Sequence, residues 1–107
     1  MHVSRFDLNL FVVFDAIYTE GSLTRAARVL NLTQPAVSHA LGRLRERLDD
    51  PLFARQGARM VPTSRARAMI TPVRHALGGL QRCLSDEGGF DAGRRGGTQR
   101  RRNFASG

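Results

Sequence analysis

The chain has 107 residues, 17 of them basic and 9 acidic, and carries a formal net charge of +8. That length holds one small domain and little more, and a hydrophobic content of 41% excludes disorder along the whole chain. A single cysteine, Cys83, excludes an internal disulfide framework and a cysteine zinc cluster.

All 17 basic residues are arginine. A small basic domain is drawn to polyanions, and guanidinium offers a planar fork suited to phosphate and to guanine edges. A GC-rich genome accounts equally well for the choice of arginine over lysine, but not for the positive excess itself. Residues 1–10 lack the apolar core of a signal peptide, and no run approaches the roughly 18 apolar residues of a membrane span. The expected compartment is the cytoplasm, with no membrane partner.

The first predicted helix is capped by Asp7 and runs to about Thr19. Leu8, Phe11, Phe14 and Tyr18 fall on one side and Leu10, Val13 and Ile17 on the adjoining one, a wide apolar face suited to a core helix. Gly21 ends it. Ser22 caps a short second helix over 23–30, in which Ala26 and Ala27 admit a close neighbour. Val29 and Leu30 are expected to turn to the core, and Arg25 and Arg28 to solvent.

After the turn Asn31-Leu32-Thr33, Thr33 caps a third helix with Pro35 in its first turn, where a missing N–H costs nothing. Val37, Leu41, Leu44 and Leu48 recur at helical spacing, while Gln34, Ser38, His39, Gly42, Arg43 and Arg45 take the opposite face. Two short helices around a tight turn, the second polar and basic on its outer side, form the helix-turn-helix pattern. An αα-hairpin of any small helical domain shares that outline.

Residues 52–55 and 59–61 read as two short strands around Gln56-Gly57-Ala58, with Pro62 stopping the second. A hairpin directly after a basic helix is a wing, and Arg55 and Arg59 equip it for the phosphate backbone or the minor groove.

Thr63 or Ser64 caps a fourth helix. Its stripe of Met69, Ile70, Val73, Ala76, Leu77, Leu80 and Leu84 needs a partner surface. Folding back onto the first three helices would satisfy it. Arg65, Arg67, Arg74 and Arg82 around the stripe favour an outward helix paired with its copy, and the seam is assigned to Ile70, Val73, Leu77, Leu80 and Leu84. Pro72 and the pair Gly78-Gly79 weaken this helix, so a kink near Thr71-Pro72 or two helical pieces are expected. His75 is expected to be exposed, and Cys83 to pack as a small hydrophobe. The text from Asp86 onward is Gly- and Arg-rich, with Phe90 and Phe104 its only large apolar residues. It is expected to stay unfolded, its Arg100-Arg101-Arg102 run adding nonspecific affinity.

Catalysis finds no footing. One cysteine, three scattered histidines, no Gly-rich phosphate loop and no metal-ligand spacing argue against an enzyme, a metal or a cofactor.

The run over 20–63 strongly resembles the LysR-type transcriptional regulators. The matching blocks are Gly21-Ser22-Leu23-Thr24-Arg25-Ala26-Ala27, then Thr33-Gln34-Pro35-Ala36-Val37-Ser38, then Pro51-Leu52-Phe53 with Arg55, and Pro62-Thr63. Arg45, Asp49-Asp50-Pro51 and Pro72 resemble the nodulation-regulator and aromatic-catabolism branch; many other members have Glu in place of Arg45. The resemblance implies a mainly α fold: a winged helix-turn-helix over 1–62, a long linker helix over 63–85 that dimerises, then the tail over 86–107.

It also implies binding to double-stranded DNA at an interrupted inverted repeat, as a homodimer through the linker helix. Carried over by position, Gln34, Pro35, Ser38 and His39 become groove-lining or base-reading residues, and Thr33, Arg43 and Arg55 phosphate or minor-groove contacts. Such regulators also have a larger domain that senses a small effector. No text of that kind follows Phe90-Asp91, so no small-molecule effector is expected for this chain alone. A fragment and a reading frame truncated or shifted near Ala92 both fit, and a remnant would be a nonspecific basic nucleic-acid binder.

Overall fold

A computed structural model describes residues 5–85 of the chain. The element order is α1 (Asn9–Glu20), α2 (Leu23–Leu30), α3 (Gln34–Leu48), β1 (Phe53–Gln56), β2 (Arg59–Pro62) and α4 (Ser64–Leu84). The chain groups into two compact units that divide between Arg74 and His75, inside α4. The tail over 86–107 lies outside the described residues.

In the first unit α1 is the central helix, burying Leu10, Val13, Phe14, Ala16 and Ile17. It begins later than its sequence suggests. Asp7 Oδ1 accepts from Asn9 N at 3.0 Å, but Leu8 occupies the cap position without a side-chain cap bond. Leu8 is also exposed, so the apolar face starts at Leu10. Gly21 closes α1 with φ 66°, a left-handed conformation that glycine adopts without steric cost.

Ser22 accepts from Arg25 N and caps α2, whose buried residues are Leu23, Ala26 and Ala27. Val29 does not turn inward: it is 63% exposed, because the Ala26–Ala27 pair already fills the narrow contact with the neighbouring helices. Asn31, at φ 58°, ends α2 in the left-handed region. Leu32 N then donates to Ala27 O at 2.8 Å and fixes the turn angle.

The two strands pair antiparallel with Phe53 opposite Pro62, Arg55 opposite Met60 and Gln56 opposite Arg59. That leaves Gly57, at φ 62°, and Ala58 as a tight two-residue turn. β1 starts at Phe53 and not at Leu52, because Leu52 is itself left-handed at φ 64°. Such a conformation costs a branched residue of order 1–3 kcal/mol and persists only where its surroundings hold it. Here they do. Leu52 is fully buried, its N–H donates to Asp50 Oδ1 at 2.8 Å, and its carbonyl accepts from Thr63 N at 2.8 Å.

Phe53 seats the hairpin on α1, with its ring 5.5 Å from Phe14 and 6.3 Å from Tyr18. Phe14, Ile17, Val37, Leu41, Leu44, Leu52 and Phe53 are the largest fully buried side chains, each contributing about 1.5–3 kcal/mol by removal from water.

Thr63 caps α4 by accepting from Ala66 N at 3.2 Å, while its hydroxyl donates to Asp50 Oδ1 at 2.9 Å. The helix runs without a break through Pro72, so two helical pieces are not formed. The buried Ile70 and Val73 flank Pro72 on the inner side and offset its cost. This corrects the assignment of Ile70 and Val73 to an outward seam. Ile70 and Val73 are core residues of the first unit, each only 8% exposed.

Two of the arginines around that stripe, Arg65 and Arg67, stay exposed while they tie the start of α4 down. Arg65 donates to Leu48 O at 3.1 Å, and Arg67 to Pro62 O at 2.9 Å. In the second unit His75 is exposed, Leu77 half-buried, and Leu80 and Leu84 are 55% and 83% exposed. Cys83 is exposed as well, not packed.

Candidate nucleic-acid interface

The surface feature with a chemical purpose is the first turn and a half of α3. Thr33 accepts from Ala36 N at 3.2 Å through Oγ1 and fixes where the helix begins. Its hydroxyl keeps a proton to donate outward. Thr33, Gln34, Pro35, Ser38 and His39 are all exposed, while Val37, Leu41 and Leu44 anchor the opposite side of the same helix. One side-chain amide, two hydroxyls and an imidazole therefore stand together at a helix N-terminus, where the unpaired N–H groups favour an anion.

The basic residues divide into free and committed ones. Arg28 and Arg55 are exposed, and their side chains make no hydrogen bond or ion pair among the described residues. Arg25 pairs with Glu20 at 3.4 Å. Arg43, one turn beyond His39, keeps 42% of its side chain exposed and reaches Asp7 at 4.0 Å, a pairing weak enough to release for a phosphate. Arg45 is committed. It is half-buried, and its guanidinium donates to Pro51 O at 2.7 Å and Phe53 O at 2.9 Å. The expectation that Arg45 shares the outer face of the helix with Ser38 and His39 is thereby corrected. Its spacing from Leu41 and Leu48 was the available signal, since these three positions share one flank of the helix.

The hairpin that carries Arg55 is fixed at its outer edges. Met60 N donates to Gly21 O at 2.9 Å, tying β2 to the α1–α2 turn. The Asp50–Thr63 bond closes its base. The sequence marks Asp50 only as part of the resemblance; its role at the base of the hairpin depends on Leu52 and Thr63 being in place.

A short helix, a tight turn, a second helix with an exposed polar N-terminus, and a hairpin locked behind it define a winged helix-turn-helix. Residues 8–67 match the family model described as the bacterial regulatory helix-turn-helix protein, lysR family. The chain belongs to that family.

It is 48% identical over 91 residues to nodulation protein D 2 of Bradyrhizobium elkanii, covering 85% of this chain and 28% of that protein. It is 53% identical over 77 residues to nodulation protein D of Rhizobium leguminosarum bv. trifolii, covering 72% and 24%. The chain thus spans about a quarter of the length of these relatives. Among solved structures, a probable transcriptional regulator from Pseudomonas aeruginosa superposes with a TM-score of 0.76 at 49% identity, covering 79% of this chain and 28% of that one. The BenM DNA-binding domain, solved in complex with benA site 1 DNA, shares the fold with a TM-score of 0.68 at 24% identity, covering 74% and 89%.

Proposed function

We propose that this chain is the sequence-specific double-stranded DNA-binding part of a transcription regulator, and that it acts in the cytoplasm as a homodimer on an interrupted inverted repeat. The observation that carries the reading is the exposed set Gln34, Pro35, Ser38 and His39 at the capped start of α3. An α-helix fits the major groove, and its N-terminal residues are the ones that meet base edges. Arg43 and Arg55 supply phosphate or minor-groove contacts that fix register without reading sequence.

The family's description as a regulatory helix-turn-helix protein, the Pseudomonas aeruginosa neighbour's as a probable transcriptional regulator and the DNA held by the BenM domain support the same reading. The DNA contact as proposed calls on no cofactor, metal or catalytic step. No described helix is long and apolar enough to cross a membrane.

The test is a binding isotherm against an inverted-repeat operator, a single half-site and random duplex, each at two salt concentrations. Specific binding gives a preference for the repeat that survives at the higher salt. A nonspecific basic binder gives equal affinities that fall together as counterions compete.

A further inference from the structure

The wing reaches its position through a residue of the reading helix. Thr63 N donates to Leu52 O, which makes Leu52 and Thr63 a hydrogen-bonded pair at the foot of the ladder. Antiparallel pairs alternate between bonded and non-bonded. Phe53 opposite Pro62, and Arg55 opposite Met60, are therefore non-bonded pairs whose backbone groups point away from the partner strand. On the β2 edge Met60 N finds Gly21 O. On the β1 edge Phe53 O finds Arg45, whose guanidinium also takes Pro51 O. One planar fork thus holds the backbone on both sides of the strained Leu52, and the nearer anchored residue, Phe53, is two residues before Arg55.

We propose that Arg45 is a positioning residue for DNA binding: it fixes the wing strand, and with it Arg55, relative to α3, and does not itself touch DNA. The proposal rests on the DNA-binding reading above. Both guanidinium contacts are spent on carbonyl oxygens at 2.7 and 2.9 Å. A lysine at this position keeps the charge but has no planar fork to bridge two carbonyls.

Two experiments test it on the full chain, one of them without DNA. In the first, trypsin cleavage after Arg55 is followed in wild type, Arg45→Ala and Arg45→Lys, with cleavage after Arg28 as the internal control. Both variants should speed cleavage at Arg55 and leave Arg28 unchanged. Equal acceleration at both sites means general unfolding and overturns the proposal, as does no acceleration at either.

In the second, affinity for the inverted repeat is measured for Arg45→Ala, Arg45→Lys, Arg55→Ala and the double variant Arg45→Ala with Arg55→Ala. Positioning predicts that each Arg45 variant loses affinity, that the double variant loses no more than Arg55→Ala alone, and that lysine fails to rescue. Rescue by lysine, or losses that multiply in the double variant, identify a direct phosphate contact and overturn it. A wild type that binds random duplex as tightly as the repeat would instead remove the DNA-binding reading, while the cleavage experiment still decides the wing tether.

Discussion

Arg74 Nε lies 2.7 Å from Asp15 Oδ1, and the same guanidinium donates to Thr19 Oγ1 at 2.7 Å. Its centre is also 5.4 Å from the centroid of the Tyr18 ring. One side chain of α4 therefore engages three residues on successive turns of α1, at positions 15, 18 and 19. With 48% and 34% of the two ionic side chains exposed, solvent screens the pair, so the latch as a whole contributes about 1–2 kcal/mol.

Arg74→Ala should lower unfolding free energy in urea by that amount, and added salt should narrow the difference. In an Asp15→Ala background the loss should shrink. An unchanged loss would leave the Tyr18 and Thr19 contacts, not the ion pair, as the source of the stability.

Two glycine replacements should change stability in opposite directions. Gly42 lies within α3, and an added Cβ there meets nothing within 4 Å. Gly42→Ala should stabilise the protein by about 1 kcal/mol through helix propensity. Gly57 is equally uncrowded, but its φ is +62°. Gly57→Ala should cost about 1 kcal/mol, because an L-residue resists the left-handed region whatever the space around it. Urea unfolding at fixed salt checks both, and shifts of the same sign would contradict the backbone argument.

The caps of α2 and α3, the glycine end of α1, the β-hairpin and the exposed polar face of α3 are legible because each depends on local chemistry: a hydroxyl before a helix, glycine at its end, apolar residues at helical spacing. What was not legible depends on partners distant in sequence. Ile70 and Val73 share a stripe with Leu77, Leu80 and Leu84, and periodicity alone cannot divide a stripe between this chain's core and a second chain. The roles of Arg45, Arg65, Arg67 and Arg74 were missed for the same reason. A charge reads as solvated until the carbonyl or carboxylate that accepts from it is known. Leu52 was taken into the strand because nothing in Pro51-Leu52-Phe53 signals a left-handed leucine; Asp50 and Thr63 must both be in place to hold it.

Within the proposed DNA interface, Ser38 and Arg55 should fail in different ways. Ser38 is on the helix face that reads bases, so Ser38→Ala should cost about 1 kcal/mol on the preferred operator and relax discrimination at one base position. Arg55 is on the wing, and Arg55→Ala should weaken every duplex similarly and reduce the slope of log affinity against log salt by about 1. Anisotropy titrations on the operator and on single-position variants separate the two patterns. Wild-type behaviour in both mutants would mean that neither surface meets DNA.

The apolar stripe of α4 has a covered part and an exposed part, and mutation should separate them. Ile70 and Val73 are 8% exposed in the single chain, whereas Leu80 and Leu84 are 55% and 83% exposed. Residues already covered within one chain cannot also form a seam with another, so the proposed dimer contact falls to Leu77, Leu80 and Leu84. Ile70→Asp should unfold the first unit, because an unpaired carboxylate would be left in its core. Leu80→Asp combined with Leu84→Asp should give monomers by sedimentation, with the melting transition of the winged unit unchanged. The same double variant should bind a single half-site as well as wild type does, and an inverted repeat no better than a half-site. Two linked reading heads gain from effective concentration only while the linkage holds. A wild-type chain that sediments as a monomer at micromolar concentration would remove the seam from this segment, and the advantage of the repeat over the half-site should then be absent in wild type too.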